Sequence, residues 1–433
     1  MGTFAYFPHT EEDIRAMLDR IGVASLDGLY SDVPDDFLYK RDYDLPSAMS
    51  EQQVRDFFES LGQKNTRLKV LVGQGAYDHY VPAVIPYITS RSEFLTSYTP
   101  YQSEISQGTL RYIFEWQSMI CRLTGMDVSN ASMYDGPTAA AEALRMMVAC
   151  GRRRNKVIVS SFLLPCVLKV VRTYMKYAGI ELVVTDDVLS ELGPDVAGVL
   201  VPQICKYGYV QDLTGFADKI HHCGALFAVY CDPSTLAVLE SPAELGADIA
   251  VGDGQSLGIP LNYGGPYVGF LSCREALMRK LPGRIVGQTL DADGRRCFVL
   301  TLQAREQHIR REKATSNICS NESLMALWCT VYLSLMGPEG LRRVNELSSE
   351  GAHYLHDALL ATGKFEDTHP GKVFINEFTL RPLRDAAALQ QAFLDGGFFA
   401  GLQVDSGELA FCVTEKYGKD DLDALVKIVE DLA

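Results

Sequence analysis

Residues 225–260, ALFAVYCDPSTLAVLESPAELGADIAVGDGQSLGIP, decide the fold. They contain two short apolar runs, 225–230 and 247–251, and each leads into a turn of small and polar residues. Such β-branched runs, set among helical patterns, predict strands buried on both faces of a mostly parallel sheet. Asp232 follows the first run, at the edge where such sheets bind ligands. An Asp before Pro233 is also typical of an ordinary turn.

The same alternation of strands and helices continues on both sides of this stretch. Further strands are predicted at 156–160, 180–185, 197–202 and 267–272, and helices at 104–124, 138–150, 165–178 and 213–222. The C-terminal region adds helices at 321–336, 339–362, 385–396 and 420–432, with strands at 372–379 and 408–413. The pattern predicts an α/β protein with a large, mostly parallel sheet domain over 63–330 and a small C-terminal α/β domain over 331–433.

An N-terminal arm is predicted over 1–62. Thr10 and Asp13 fit the two side chains of a capping box at the start of a short helix, and Ser50 fits the start of a second helix. The residues between these helices are rich in Asp, Tyr and Pro and are predicted to be extended. Such an arm either wraps a partner subunit or forms a surface loop.

Composition excludes several classes of function. The chain has 433 residues and a net charge of −15, which argues against binding to nucleic acid or to an anionic membrane surface. Its 11 cysteines are scattered without a C-x-x-C pair, so neither a disulfide framework nor a metal site is expected. The most apolar stretch, 157–171, is too short and interrupted to span a bilayer. With no secretory pattern visible at the N-terminus, a cytoplasmic protein is expected.

One helix start could bind an anion. In residues 135–143, DGPTAAAEA, Gly136 permits a tight turn and Thr138 lies in the first helical turn among small residues. The free N–H groups of a helix N-terminus can hold a phosphate. A capped helix packed closely on the sheet explains the same residues.

Three further segments concentrate polar chemistry. Residues 73–82, GQGAYDHYVP, and 98–108, YTPYQSEISQG, place aromatic, amide and acidic side chains in loops before helices. Loops of this kind often carry function, although helix capping and surface packing would also account for them. Residues 303–319, QAREQHIRREKATSNIC, form a basic stretch in an acidic chain. It fits an acidic partner, or simply a solvated helix face.

Taken together, these segments resemble the glycine decarboxylase (P-protein) family of the glycine cleavage system. The resemblance covers essentially the whole chain, and its most specific parts are 98–108, 130–143, 254–269 and 302–319. It implies fold type I of the enzymes that use pyridoxal 5′-phosphate (PLP). In that fold the loop at 252–260 would carry the lysine that binds PLP covalently, and this loop contains no lysine. The chain is therefore similar to the subunit type that lacks this lysine.

The resemblance also implies the reaction and the partners. A second subunit, paired with this one as a probable α2β2 assembly, would hold PLP covalently, and this chain would not. The assembly would remove the carboxylate of glycine as CO₂, with PLP as the electron sink. It would then transfer the aminomethyl group to the lipoyl arm of the H-protein.

The same resemblance implies roles for individual residues. The expected catalytic side chains at the interface are Tyr98, Tyr101, Gln102 and Glu104, followed by Tyr77 and His79. Supporting donors toward the partner's PLP are Thr99 and Ser106. Relics of a lost PLP pocket are Gly136, Thr138, Asp232, Gln255 and Ser256. The residues expected to dock the H-protein or its lipoyl arm are Arg305, His308, Arg310 and Arg311.

Two alternative functions stay open at this point. The chain could be a self-sufficient PLP lyase or aminotransferase that uses another lysine, such as Lys206. It could also be a pseudoenzyme that serves as a scaffold and enters no active site.

Overall fold

The computed structural model describes Tyr6 and residues 8–151, 153–404 and 407–432. The chain divides into two compact units, Met1–Thr66 and Arg67–Ala433. The α-helices are α1 Glu11–Ile21, α2 Glu51–Gly62, α3 Val84–Thr89, α4 Ser92–Leu95, α5 Gln107–Thr124, α6 Gly136–Cys150, α7 Pro165–Ala178, α8 Phe216–His222, α9 Gln307–Arg310, α10 Ser323–Ala361, α11 Ala386–Asp395 and α12 Lys419–Asp431. The strands are β1 Lys69–Leu71, β2 Val128–Ser129, β3 Lys156–Ser160, β4 Glu181–Thr185, β5 Val196–Pro202, β6 Leu226–Tyr230, β7 Ile249–Asp253, β8 Gly269–Cys273, β9 Ile285–Leu290, β10 Arg296–Thr301, β11 Phe365–Glu366, β12 Glu377–Pro382, β13 Phe398–Ala400, β14 Leu402–Gln403 and β15 Leu409–Cys412.

The first unit consists of two capped helices joined by a largely irregular segment. Thr10 and Asp13 close the predicted capping box of α1, and Ser50 caps α2 in the same way. The segment between them is less extended than predicted, because Leu26–Tyr30 and Asp35–Phe37 form 3-10 turns. No described residue of this unit is buried.

The second unit is built on a seven-stranded sheet in the order β2-β8-β7-β6-β5-β3-β4. Strands β3 to β7 run parallel, β8 pairs antiparallel with β7 at one edge, and β2 pairs antiparallel with β8. Every residue of β5 is buried, as its unbroken apolar sequence predicts. Separate apolar cores cover the two faces of the sheet. The mostly parallel sheet predicted from sequence is confirmed.

Helix α10 consists of two helical segments, as predicted at 321–336 and 339–362. It continues through a kink at Gly337, whose φ of 60° and ψ of −177° lie outside the helical region, just before Pro338. It is the one helix among the described residues that is long and apolar enough, by length and composition, to cross a membrane. Its buried residues contribute to the cores of the second unit, which accounts for its apolar sequence.

The C-terminal part adds a four-stranded sheet in the order β11-β12-β15-β14. The predicted strand at 372–379 is shifted, because β12 starts only at Glu377. Strand β1 pairs in parallel with β13, which brings residues 69–71 beside residues 398–400. The β9–β10 hairpin was not predicted. The domain boundaries at 62 and 330 stay predictions.

Candidate active site

A small cavity lies at the carboxyl ends of β6 and β7, where the sequence placed a ligand site. Its volume is about 30 Å³. Its walls come from the sheet, the 73–77 loop and the C-terminal region. The lining residues are Gly75, Tyr77, Leu164, Ile204, Cys205, Tyr230, Cys231, Asp232, Asp253, Ser256 and Glu377.

The N-terminus of α6, the predicted anion site, is filled by carboxylates of this chain. Asp135 accepts a hydrogen bond from the Thr138 N–H at 2.7 Å, and the Thr138 hydroxyl accepts one from the Asp135 N–H at 3.2 Å. The Gly136 N–H donates to Asp253 Oδ2 at 2.9 Å. Burial raises the pKa of Asp253 to about 7, although its hydrogen bonds oppose the shift. Two carboxylates thus occupy the donors that would hold a phosphate.

The other three polar positions of the predicted relic pocket, Asp232, Gln255 and Ser256, also form hydrogen bonds within the chain. Asp232 accepts hydrogen bonds from the Ser256 hydroxyl and, at 3.0 Å, from the Ser234 N–H. Burial raises the pKa of Asp232. Gln255 accepts a hydrogen bond from the Tyr77 N–H at 2.7 Å and donates one to the Tyr77 carbonyl at 2.8 Å. Gln255 therefore ties the loop after β7 to the 73–77 loop.

Tyr77 and His79 lie inside the second unit, bonded to two carboxylates. The Tyr77 hydroxyl donates to Glu377 at 3.2 Å, and burial raises the pKa of Glu377 to about 7. His79, only 5% exposed, contacts Glu415 at 2.6 Å. Burial acts to raise the pKa of Glu415, but the His79 and Tyr80 hydrogen bonds prevail and lower it. Both predicted catalytic side chains are therefore held by partners that sequence analysis did not identify.

These residues do not fit PLP. A cavity of about 30 Å³ is far below the roughly 300–1,000 Å³ of ordinary cofactor and ligand pockets. The phosphate donors are already bonded to Asp253 and Asp135, and the loop after β7 has no lysine. The Lys206 ammonium lies over the Tyr207 ring, 5.2 Å from its centroid, and Lys206 is not among the residues that line the cavity.

The other predicted group lies at the surface, in the loop before α5. Tyr98 is 80% exposed and Tyr101 50% exposed. Gln102 and Glu104 are exposed as well, whereas the supporting residues Thr99 and Ser106 are half-buried. The structure thus separates the predicted catalytic residues into an enclosed pair and an exposed loop.

Tyr101 joins this exposed loop to the basic segment. Its hydroxyl accepts a hydrogen bond from Arg284 Nη2 at 2.9 Å, and its ring meets the His308 ring edge-on, with 6.3 Å between centroids. Glu306 lies 3.6 Å from Arg284 and 3.5 Å from His308. Sequence analysis missed Arg284 and Glu306. The sequence signal that could have revealed Arg284 is its position between the Pro282-Gly283 turn and the apolar start of a strand.

The basic segment is not one continuous helix face. It consists of α9 between two 3-10 turns. Arg305 is half-buried and donates to the carbonyl oxygens of Leu281, Gly283 and Leu302, and burial lowers its pKa. Arg305 therefore fastens the segment to the protein. His308, Arg310 and Arg311 are exposed.

In the part of the chain that the structure describes, no group of three or more His, Cys, Asp or Glu side chains is placed to hold a metal ion.

Comparison of the sequence with known protein families identifies the family of this chain. The family model of the glycine cleavage system P-protein matches residues 4–429. The chain belongs to the P-protein family. It is 46% identical to the probable glycine dehydrogenase (decarboxylating) subunit 1 of Desulforamulus reducens, covering 97% of this chain and 98% of the relative.

Solved structures agree with the P-protein assignment. The chain is similar to a crystal structure of glycine decarboxylase (P-protein) of the glycine cleavage system in inhibitor-bound form. The TM-score is 0.91 at 42% identity, covering 99% of this chain and 100% of that one. Lactobacillus brevis glutamate decarboxylase shares only the fold, with a TM-score of 0.65 at 15% identity over 92% of this chain and 96% of that one. The predicted fold type I is confirmed.

Proposed function

We propose that this P-protein chain is the subunit of a two-subunit glycine decarboxylase that lacks the coenzyme lysine. A second subunit holds PLP covalently, and the two assemble as α2β2 in the cytoplasm. The complex releases CO₂ from glycine and passes the aminomethyl group to the lipoyl arm of the H-protein. The subunit 1 relatives, 46% identical over nearly the full length, support a role alongside a second subunit.

One observation carries the proposal: the place where this fold would hold PLP is filled by the chain itself. Asp253 and Asp135 occupy the donors at the start of α6, and Gln255 is bonded to Tyr77. Because a buried carboxylate beside a phosphate would be repelled by it, the filled site argues against a second, weaker coenzyme site in this subunit.

The contribution of this chain is then at its exposed loop. Tyr98 and Tyr101 present hydroxyl groups at the surface, and Gln102 and Glu104 present an amide and a carboxylate. Such groups can orient glycine once a partner surface covers them. Exclusion of water by the covered loop would favour loss of the glycine carboxylate as CO₂. Thr99 and Ser106 would act as supporting donors toward the PLP that the second subunit holds.

Tyr77 and His79 support the proposed function less directly. Because they are bonded to Glu377 and Glu415, we propose that they hold the 73–80 loop in place. A proton transfer by His79 would require it to reach substrate from a position that is 5% exposed.

Purification of the chain alone and with its candidate second subunit tests the proposal. We expect the chain alone to be colourless after incubation with PLP and to carry no borohydride-fixed coenzyme by mass spectrometry. The pair should carry the coenzyme on the second subunit and exchange glycine with bicarbonate in the presence of H-protein. Activity or fixed coenzyme in the isolated chain would refute the proposal.

Variants of the exposed loop separate an active-site role from a scaffold role. Tyr98→Phe and Gln102→Ala should each lower the exchange rate of the assembled pair by ~10-fold or more. Tyr177→Phe, on the exposed end of α7, is the matched control. Normal turnover in both loop variants, with assembly intact, would support the scaffold instead.

A further inference from the structure

The strongest unexplained group in the second unit is the guanidinium of Arg284. The residue is 2% exposed, and an arginine is rarely buried so completely unless it is paired. Removing a cation from water is unfavourable, and good pairing must offset that cost. The surroundings of Arg284 must therefore account for its position.

The pairing of Arg284 is one-sided. Among the described residues, its Nε and Nη1 have no hydrogen-bond partner, and Glu306 stands 3.6 Å from Nε, beyond hydrogen-bond range. Its Nη2 donates to the half-exposed Tyr101 hydroxyl at 2.9 Å, and its guanidinium carbon lies 5.2 Å from the centre of the same ring. The hydrogen bond and the cation–π contact converge on one tyrosine.

The loop that carries Tyr101 is also anchored at its far end. Gln107 donates to the Ser103 carbonyl at 2.7 Å and exchanges hydrogen bonds with both backbone groups of Phe298 in β10. Gln107 thus ties the loop to the β9–β10 hairpin. Tyr101 in the loop is bonded to Arg284, the residue that directly precedes this hairpin.

We propose that Arg284 is a positioning residue, which fixes the Tyr101 hydroxyl at the surface where the second subunit completes the active site. Glu306 balances the Arg284 charge and also faces His308 at 3.5 Å. The inference rests on the proposed function, because Tyr101 matters for turnover only if the loop enters an active site. Arg284 itself touches neither substrate nor coenzyme.

A double-mutant cycle in the reconstituted pair tests this role. Tyr101→Phe and Arg284→Gln should each lower kcat/KM for glycine by ~10-fold or more. The double variant should be no worse than the more impaired single variant, because Arg284 acts through Tyr101. Losses that multiply would overturn the inference. The exposed Arg172→Gln on α7 is the control.

A second readout uses this chain without its partner. With 3-fluorotyrosine at position 101, the native protein should give one narrow ¹⁹F resonance, and Arg284→Gln should shift and broaden it. Arg284→Lys keeps the charge but loses the planar fork, so it should fold and recover only part of kcat/KM. An unchanged resonance in a folded Arg284 variant would contradict the inference.

Failure of the two proposals can be told apart in one experiment. If the unmodified pair does not exchange glycine with bicarbonate, the proposed function is wrong. If that pair is active and the Arg284 variants match it in both readouts, only the positioning role is wrong.

Discussion

At the scale of single residues, carboxylates of the chain lie at the helix N-terminus where a phosphate could bind. The start of α6 offers N–H groups that suit a phosphate, and the chain supplies the carboxylates of Asp135 and Asp253 instead. A Cβ at Gly136 would lie 2.4 Å from the Tyr230 hydroxyl, so the packing at this point is also tight. The residues predicted as relics of a coenzyme pocket are hydrogen-bonded to one another within the chain.

The buried Glu377 predicts a particular dependence of stability on pH. Burial raises its pKa from the ordinary 4.5 to about 7 in the folded protein, so between these pH values the native state binds more protons than the unfolded state. Stability from this group is complete below pH 4.5 and is lost as pH rises through 7. Glu377→Gln should remove up to roughly 3 kcal/mol of the decline in unfolding free energy between pH 5 and 8.

Urea unfolding at pH 5, 6, 7 and 8 measures this effect, with the exposed Glu430→Gln as the control. The pKa values of Asp253 and Asp232 are raised as well, but both residues are present in both proteins. The difference therefore reports Glu377 together with its interaction with Asp232. Identical pH profiles for the native chain and Glu377→Gln would show that the carboxyl is not protonated in the fold.

Restoring a lysine should not restore coenzyme binding. Ser256 is buried and donates to Asp232, and the cavity of about 30 Å³ has no room for PLP beside a lysine. We expect Ser256→Lys and Gln255→Lys to stay colourless with PLP and to lose stability, since each removes buried hydrogen bonds. Absorbance and borohydride trapping measure the first outcome. A yellow, reducible variant would mean that the cavity opens readily.

At the scale of elements, the glycine at the kink of α10 and the glycine that ends α7 differ in how strongly their backbone conformations require glycine. Gly337 has φ 60° and ψ −177°, a region that is essentially restricted to glycine. Gly179, which ends α7, has φ 66° and ψ 29°, an ordinary left-handed conformation. A Cβ added at either residue would meet nothing within 4 Å, so backbone strain alone decides the cost.

Gly337→Ala should therefore lower the free energy of unfolding by about 1–3 kcal/mol. Gly179→Ala is the matched comparison and should cost roughly 1 kcal/mol. Denaturant unfolding at one pH gives both values. A smaller loss at 337 than at 179 would indicate that α10 straightens when the glycine is replaced.

At the scale of the whole molecule, charge is unevenly placed. The chain carries −15 overall, yet Arg310 and Arg311 are exposed in one short segment. A local patch of opposite sign steers and orients an acidic partner. Arg305 does not belong to this patch, because its guanidinium is bonded to backbone carbonyls.

Charge reversal at Arg310 and Arg311 together should weaken H-protein binding to the assembled pair and reduce its salt dependence. Titrations at two salt concentrations measure both effects, with Arg172→Glu on α7 as the control. Unchanged affinity and salt slope would place the H-protein elsewhere. The predicted docking role of His308 would then need a separate test, since His308 also contacts Tyr101.

The sequence predicted what depends on local pattern. Strand β3 matches its predicted bounds, because its three central β-branched residues are fully buried and such a run is typical of a strand covered on both faces. The hairpin at 285–301 was missed because its strands carry polar and half-exposed residues. They are held by remote partners, as when Gln117 bonds both backbone groups of Val286.

The candidate site shows the same limit. The sequence of one loop was enough to show that the coenzyme lysine is missing. The hydrogen bond from the Gly136 N–H to Asp253 could not be predicted, because it joins residues 117 positions apart. The pairing of His79 with Glu415 likewise spans 336 positions. Contacts of this range follow from the topology of the sheet and not from any local pattern.

The pairing of β1 with β13 has a consequence for synthesis on the ribosome. The 73–80 loop follows β1, and its bonds reach Glu377 and Glu415, so these contacts cannot form until nearly all of the chain has emerged. The residues of this loop are synthesised early, but their partners are synthesised near the end of translation, whereas β3 to β7 can associate sooner. A nascent chain truncated before residue 370 would present the 69–80 segment to chaperones and proteases as an unprotected strand and loop.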